Sequence, residues 1–243
     1  MPMLPLLAGL AGLALLAWLM QREKAAQRGR RSRRLADCLP LFDTAAVTPG
    51  GDGFPRLAGI IAGRRVEIEF VPDSMTIRRL PQLWMVLTLI DPQPVRAALG
   101  VLARPSGAEF YALTPRLGQR LDAPPPFAPD VLLRASGPEV AAFLPLVAEP
   151  MARLLADPRV KEVALTPRGL RAVWQAAEGR RGQHLLLRQC DFGEERVGPA
   201  DLVRLHDGLD AVAAALRPAR DAAASEMDRC AARRIGNPRH GPT

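Results

Sequence analysis

Lysine is nearly missing from this chain: of 33 basic residues only Lys24 and Lys161 are lysine, and the rest are arginine. With abundant alanine and proline, this bias points to a GC-rich genome and weakens any functional reading of arginine content. Cysteine is scarce as well, with three in 243 residues, at positions 38, 190 and 230. They form no disulfide framework and no pair with metal-ligand spacing, which excludes a disulfide-stapled secreted domain. The three histidines, His184, His206 and His240, never stand at a separation that a helix or strand would bring together, so zinc and di-iron motifs are missing. There is no phosphate loop, no dinucleotide fingerprint after a strand and no nucleophile elbow. Three large enzyme classes lose their support, and no cofactor or metal is expected.

What is present is 48% hydrophobic and 24% charged residues, enough for one good-sized domain with appendages and too apolar for a disordered chain. The net charge of +8 invites a nucleic-acid reading, but its distribution argues against one. Residues 1–34 carry +6, residues 35–216 carry −1 and residues 217–243 carry +3. The stretch long enough to fold is nearly neutral.

Leu4 to Met20 is a run of 17 uncharged residues, about 25 Å long as a helix and near the lower limit of what crosses a bilayer core. Pro5 falls in its first turn, where the missing N–H costs little, and Trp18 stands near the far end, where an aromatic suits the headgroup level. A cleaved signal would place basic residues before the apolar run. Here none precedes it, whereas Arg22, Lys24, Arg28, Arg30, Arg31, Arg33 and Arg34 follow it. Leu35 to Cys38 has the outline of a bacterial lipoprotein box, but Asp37 is wrong before the cysteine and a basic segment intervenes. The pattern predicts a transmembrane anchor over residues 1–21 with the N-terminus outside, and a basic juxtamembrane segment and linker over 22–55. The seven basic residues are read as contacts to anionic headgroups of a bacterial plasma membrane, each contributing about 1 kcal/mol near the surface.

Residues 56–217 are expected to form a cytoplasmic α+β domain with a mostly antiparallel sheet and two main helices. Val66, Ile68 and Phe70 alternate with Glu67 and Glu69, a half-wet strand in a hairpin with Leu57 to Ile61. Leu83 to Ile90 reads as a strand covered on both faces at the centre of the sheet. Ala98 to Ala103 and Ala108 to Leu113 flank Arg104-Pro-Ser-Gly107 and predict a second hairpin. The proline-rich run from Asp122 to Pro129 predicts a rigid extended loop, followed by a short strand over Val131 to Arg134. Ser136 with Glu139 predicts a capping box opening a helix that Pro145 and Pro150 kink or split. Val160 to Leu165 and Leu170 to Trp174 predict a third hairpin, and Gln183 to Cys190 a further strand. Pro199 opens a last helix whose Leu202, Leu205, Leu209, Val212 and Leu216 form a core stripe. Residues 218–243 are expected to be a disordered tail. Ala-Leu-Thr-Pro-Arg occurs at Ala112 to Arg116 and again at Ala164 to Arg168, each copy expected to close a strand.

The chemistry-bearing residues read mostly as ordinary. Cys190 and His184 share a face of their strand but stand about 20 Å apart, too far for a nucleophile and its base. Asp191, Glu194 and Glu195 read as a solvated acidic turn, and His206 with Asp207 as a surface pair. The arginine pairs 64/65, 78/79 and 180/181 form one cationic rim only if their turns share a sheet edge. The expectation is therefore a single-pass membrane protein whose cytoplasmic body is a noncatalytic binding or scaffold domain. Its partners are the bilayer and a membrane-associated protein, not nucleic acid. The alternative is a membrane-tethered enzyme with a site assembled from distant residues.

Overall fold

The computed structural model describes residues 3–74, 80–179 and 191–218, with side chains from Leu10 onward. Helix α1 (Met3–Ser32) leads through a 3₁₀ turn (Ala36–Leu41) into strands β1 (Thr44–Pro49), β2 (Pro55–Ile61), β3 (Arg64–Asp73) and β4 (Gln82–Ile90). Then follow β5 (Leu99–Ala103), a short 3₁₀ turn (Thr114–Arg116), β6 (Gln119–Leu121), β7 (Val131–Ala135) and helix α2 (Val140–Leu155). Strands β8 (Val160–Thr166) and β9 (Gly169–Glu178) and helix α3 (Pro199–Ala215) complete the described chain. The nine strands form one sheet in the order β1-β2-β3-β4-β9-β8-β5-β7-β6, with every neighbouring pair antiparallel. The fold is α+β, as the periodicities imply.

The first four strands make a meander because each connection is short enough to return the chain on itself. The β2–β3 turn places Ala62 and Gly63 at φ 48° and 75°, the left-handed pair that matches the twist of a two-residue hairpin. Along β3, Val66, Ile68 and Phe70 are buried while Glu67 and Glu69 are exposed. Helices α2 and α3 cover one face of the sheet. The stripe Leu202, Leu205, Leu209 and Val212 of α3, continued by Leu216, lies in the same core as Val140, Phe143, Val147, Met151, Leu154 and Leu155 of α2. Each such side chain contributes about 1.5–3 kcal/mol on burial.

Residues 104–118 cross the opposite face of the sheet instead of pairing as the expected hairpin strand. There Tyr111 stacks on Trp84 at 4.8 Å between ring centroids, in a second cluster with Val86, Leu102, Ala112 and Val173. Gly100 makes the crossing possible, because a Cβ there would run into Thr114. β5 pairs with β7 and β8, and the middle strand by position is β9, with β4 beside it. The copy of the repeat at 112–116 therefore ends in a 3₁₀ turn, whereas the copy at 164–168 closes β8.

Three other expectations change. The capping box does not form: Ser136 Oγ accepts from the Ala98 amide at 2.8 Å, and α2 starts at Val140 without a side-chain cap. Pro145 and Pro150 do not split α2, which runs unbroken from Val140 to Leu155; Ala141 and Leu146, four residues before each proline, are exposed. The stretch read as linker carries β1, an edge strand exposed along its whole length. The expected strand over 183–190, Arg78, Arg79, Arg180, Arg181 and the tail beyond Pro218 lie outside the described residues. Among the described residues, which in α1 include side chains only from Leu10, no helix is long and apolar enough to cross a membrane.

Candidate functional site

The basic residues after the apolar run are not one uniform collar. At 100° per residue, Lys24, Gln27, Arg28 and Arg31 share one face of α1, while Arg22 points the other way and Arg33 lies in the turn just past the helix. The first face lies against the loop Pro49-Gly-Gly-Asp-Gly53 between β1 and β2. Arg31 donates to the Asp52 carbonyl at 2.7 Å and sets its guanidinium 5.0 Å from the centre of the Phe54 ring. The loop is closed by Gly53 N–H to the Gly50 carbonyl at 3.0 Å, Gly50 N–H to the Phe54 carbonyl at 2.8 Å, and Phe54 N–H to Asp52 Oδ1 at 3.1 Å. Between helix and loop lies a cleft of about 680 Å³, lined by Lys24, Arg28, Arg31, Ser32 and the glycines.

The other collar residues go elsewhere. Arg30 pairs with Glu23 at 3.0 Å, and Arg22 lies 5.5 Å from the Trp18 ring centre. Arg34 is 2% exposed: its guanidinium donates to the carbonyls of Phe192 at 2.8 Å, Gly193 at 2.9 Å and Glu195, and its own carbonyl accepts from Val197 N–H. Burial pulls its pKa below the ordinary arginine value, against the opposing pull of Glu195 and Asp191. Arg34 is thus a joint between the end of α1 and the loop before α3, and it does not serve as the expected contact to headgroups because the body covers all but 2% of it. Cys38, fully buried, reinforces the joint by donating from Sγ to the Val197 carbonyl at 3.2 Å. Burial, with Asp37 and Asp201, pushes that thiol up to about 11, so it is a poor nucleophile at neutral pH.

A second polar cluster is internal. Lys161 and Glu109 pair at 3.1 Å with both side chains nearly buried, and Lys161 Nζ also donates to the Arg104 carbonyl at 2.5 Å. Glu109 accepts from the Ser106 amide and hydroxyl and from the Gly107 amide. Burial pushes its pKa up, but the Ser106 hydrogen bonds and Lys161 outweigh it and hold the carboxyl at about 2. Fully buried Glu162 accepts at Oε1 from Thr114 N–H at 2.6 Å and its hydroxyl at 2.7 Å. A bulge at Val160–Glu162 lets the adjacent Lys161 and Glu162 both reach the covering segment. This arrangement fastens one piece of chain to another; Glu162 Oε2 alone of its carboxylate oxygens is buried without a hydrogen-bond partner among the described residues.

His206 is buried, not a surface group, with Nδ1 3.3 Å from Asp207 Oδ1. Arg64, placed in the proposed rim, bonds Asp91 at 2.5 Å and Asp210 at 2.7 Å and so ties β3 to α3. Asp191 accepts from Gly193 N–H within its own turn. No cluster of His, Cys, Asp and Glu suited to a metal occurs among the described residues. The glycine loop opposite Lys24 reads from sequence only as part of a Pro/Gly/Asp-rich link over Thr48 to Pro55, and Gly-Gly-Asp-Gly after a basic helix is the signal that points to more. No protein-family model and no curated protein matches this chain.

Proposed function

We propose that this is a single-pass protein of a bacterial plasma membrane, N-terminus outside, whose cytoplasmic α+β body is a binding or scaffold module held close to the bilayer. One observation carries the reading. Leu10, Leu13, Leu15, Leu16, Trp18, Leu19 and Met20 point to all sides of α1 and are each between 45% and 65% exposed. A helix apolar all round needs an apolar surrounding, and leaving each large side chain in water forgoes about 1.5–3 kcal/mol. Among the described residues the body offers no cover for them: its polar contacts with this part of the chain are made at Arg31 of α1 and at Arg34 just after it, beyond the apolar run.

A binding role for the body is supported by how its reactive groups are used. Lys161 is paired with Glu109, and Cys38 and His206 are buried. The recess of about 300 Å³ on the bare sheet face is lined by Ala46, Thr48, Arg56, Ala58, Glu67, Glu69 and Thr88, without a cysteine or histidine. The exposed edge of β1 offers unpaired backbone groups to a partner strand. The test is alkaline carbonate extraction of membranes carrying the full chain, with a reporter at the carboxyl end. Retention in the pellet with a reporter active only in the cytoplasm is expected, and Leu13→Arg with Leu16→Arg should release the chain. Release of the unaltered chain, or a reporter active only outside, overturns the reading.

A further inference from the structure

We infer that the cleft between α1 and the Pro49–Gly53 loop is a binding site for a phosphate group, carried by an acidic phospholipid headgroup or free in solution. The lipid source rests on the membrane reading above; the phosphate chemistry does not. Three cations, Lys24, Arg28 and Arg31, face the cleft at helical spacing, and the one acid on its rim, Asp52, uses Oδ1 to accept from Phe54 N–H. Arg31 is fixed by the Asp52 carbonyl and the Phe54 ring, whereas Lys24 and Arg28 have no acceptor among the described residues. Two adjacent cations without acceptors beside a fixed third leave charge for a compact anion to neutralise.

The loop wall suits the same ligand. Its glycines present backbone and no side chain, and the amides of Gly51 and Asp52 at its tip donate to no acceptor among the described residues. Successive backbone amides beside cations are a recurrent way of holding phosphate. The position is right for a headgroup, since Lys24 follows Met20, the end of the uncharged run, by four residues, about 6 Å along the helix. A merely electrostatic collar would weigh all seven basic residues alike. A cleft site weighs Lys24 and Arg28 far above Arg22 and Arg33.

Gly51 supplies a variant that leaves the helix untouched: a Cβ there meets nothing within 4 Å, so Gly51→Asp fits without strain and adds a negative charge to the cleft. The experiment titrates the full chain in uncharged maltoside micelles with inorganic phosphate in one arm and micelle-borne dioleoylphosphatidylglycerol in the other, read by ³¹P line broadening. Saturable binding is expected in at least one arm, weakened at least tenfold by Gly51→Asp and by Lys24→Gln with Arg28→Gln. The pair Arg22→Gln with Arg33→Gln should change it less than threefold, and Gly51→Gln should separate charge from bulk by retaining most of it. Saturation with the lipid alone names a headgroup, and saturation with both names phosphate in general; either supports the site. Equal losses in the two arginine and lysine pairs, or no saturation in either arm, overturn it. Because the inorganic arm needs no bilayer, its result stands whether or not carbonate strips the chain from membranes.

Discussion

One face of the sheet behaves in two ways along its width. On β3 it carries Glu67 and Glu69, exposed to water; on β4, β9, β8 and β5 the same face lies under residues 104–118. β8 and β9 of the covered half show charged residues among apolar ones as β3 does, so by local pattern these strands read as wet, whereas the uncharged β4 reads as covered on both faces. The difference is a distant segment that brings partners. Lys161 meets Glu109, Glu162 meets Thr114, Arg171 donates to the Tyr111 carbonyl at 2.6 Å, and Arg134 donates to the carbonyls of Pro115 and Leu117 at 2.9 Å each. A strand charge met only by a neighbour on its own strand, as Glu67 is by Arg65 at 3.3 Å, marks solvent, and one met by a distant segment marks a fastening point. The lesson is that alternation predicts a strand but not what covers it.

The comparison breaks first at Lys161. Replacing it by methionine keeps the volume and leaves the Glu109 carboxylate buried without its cation, for an expected loss of about 3–5 kcal/mol in urea unfolding of the full chain in micelles at pH 7. Adding Glu109→Gln should recover more than half. A loss under about 1 kcal/mol for Lys161→Met would mean that the covering segment is held by its apolar contacts alone. Acid probes the same pair. Glu109 is held at about 2 against an ordinary 4.5, so its contribution is complete above pH 4.5 and is lost as pH falls toward 2. The advantage of the unaltered chain over Glu109→Gln should therefore shrink across that window, and a constant difference would rule out the ionised carboxylate as its source.

Tyr111 gives the next largest effect. Tyr111→Ala removes the ring stacked on Trp84, with an expected loss of about 3 kcal/mol and greater solvent access to the Trp84 indole, measurable as acrylamide quenching of its fluorescence. This ring also shows where the sequence ran short. Most strands and both body helices were legible, since β2, β3, β4, β8, β9 and the α3 stripe are set by local period and turn chemistry. The path of residues 104–118 was not, because Ala108 to Leu113 has a strand's apolar content and its displacement depends on Gly100 and Glu162, one near in sequence and one far. Strands β1 and β6 were missed for a related reason: six residues without a period and the three of Gln119–Leu121 carry too little pattern, and their pairing comes from β2 and β7. At the junction, Arg34 looked like its neighbours by type, and only the carbonyls of Phe192 and Gly193 distinguish it.

The smallest expected effect lies on the bare half and sharpens the contrast most. Glu69→Gln removes a charge from the same face as Glu162, on a strand three positions away in the sheet from β8. The side chain has water on one side and no covering segment, so its carboxylate keeps its hydration in the folded state, and the change should stay within about 0.5 kcal/mol. Glu162→Gln, the same chemical substitution, should cost more, because both Thr114 hydrogen bonds to Oε1 lose the charge of their acceptor and the new amide nitrogen takes the place of Oε2, which is buried without a hydrogen-bond partner among the described residues. Measured side by side in urea at pH 7, the two should differ by at least about 1 kcal/mol. Equal values would mean that β3 is covered in solution as β8 is, by a partner or by a piece of this chain, and that the open half of the sheet is an occupied surface.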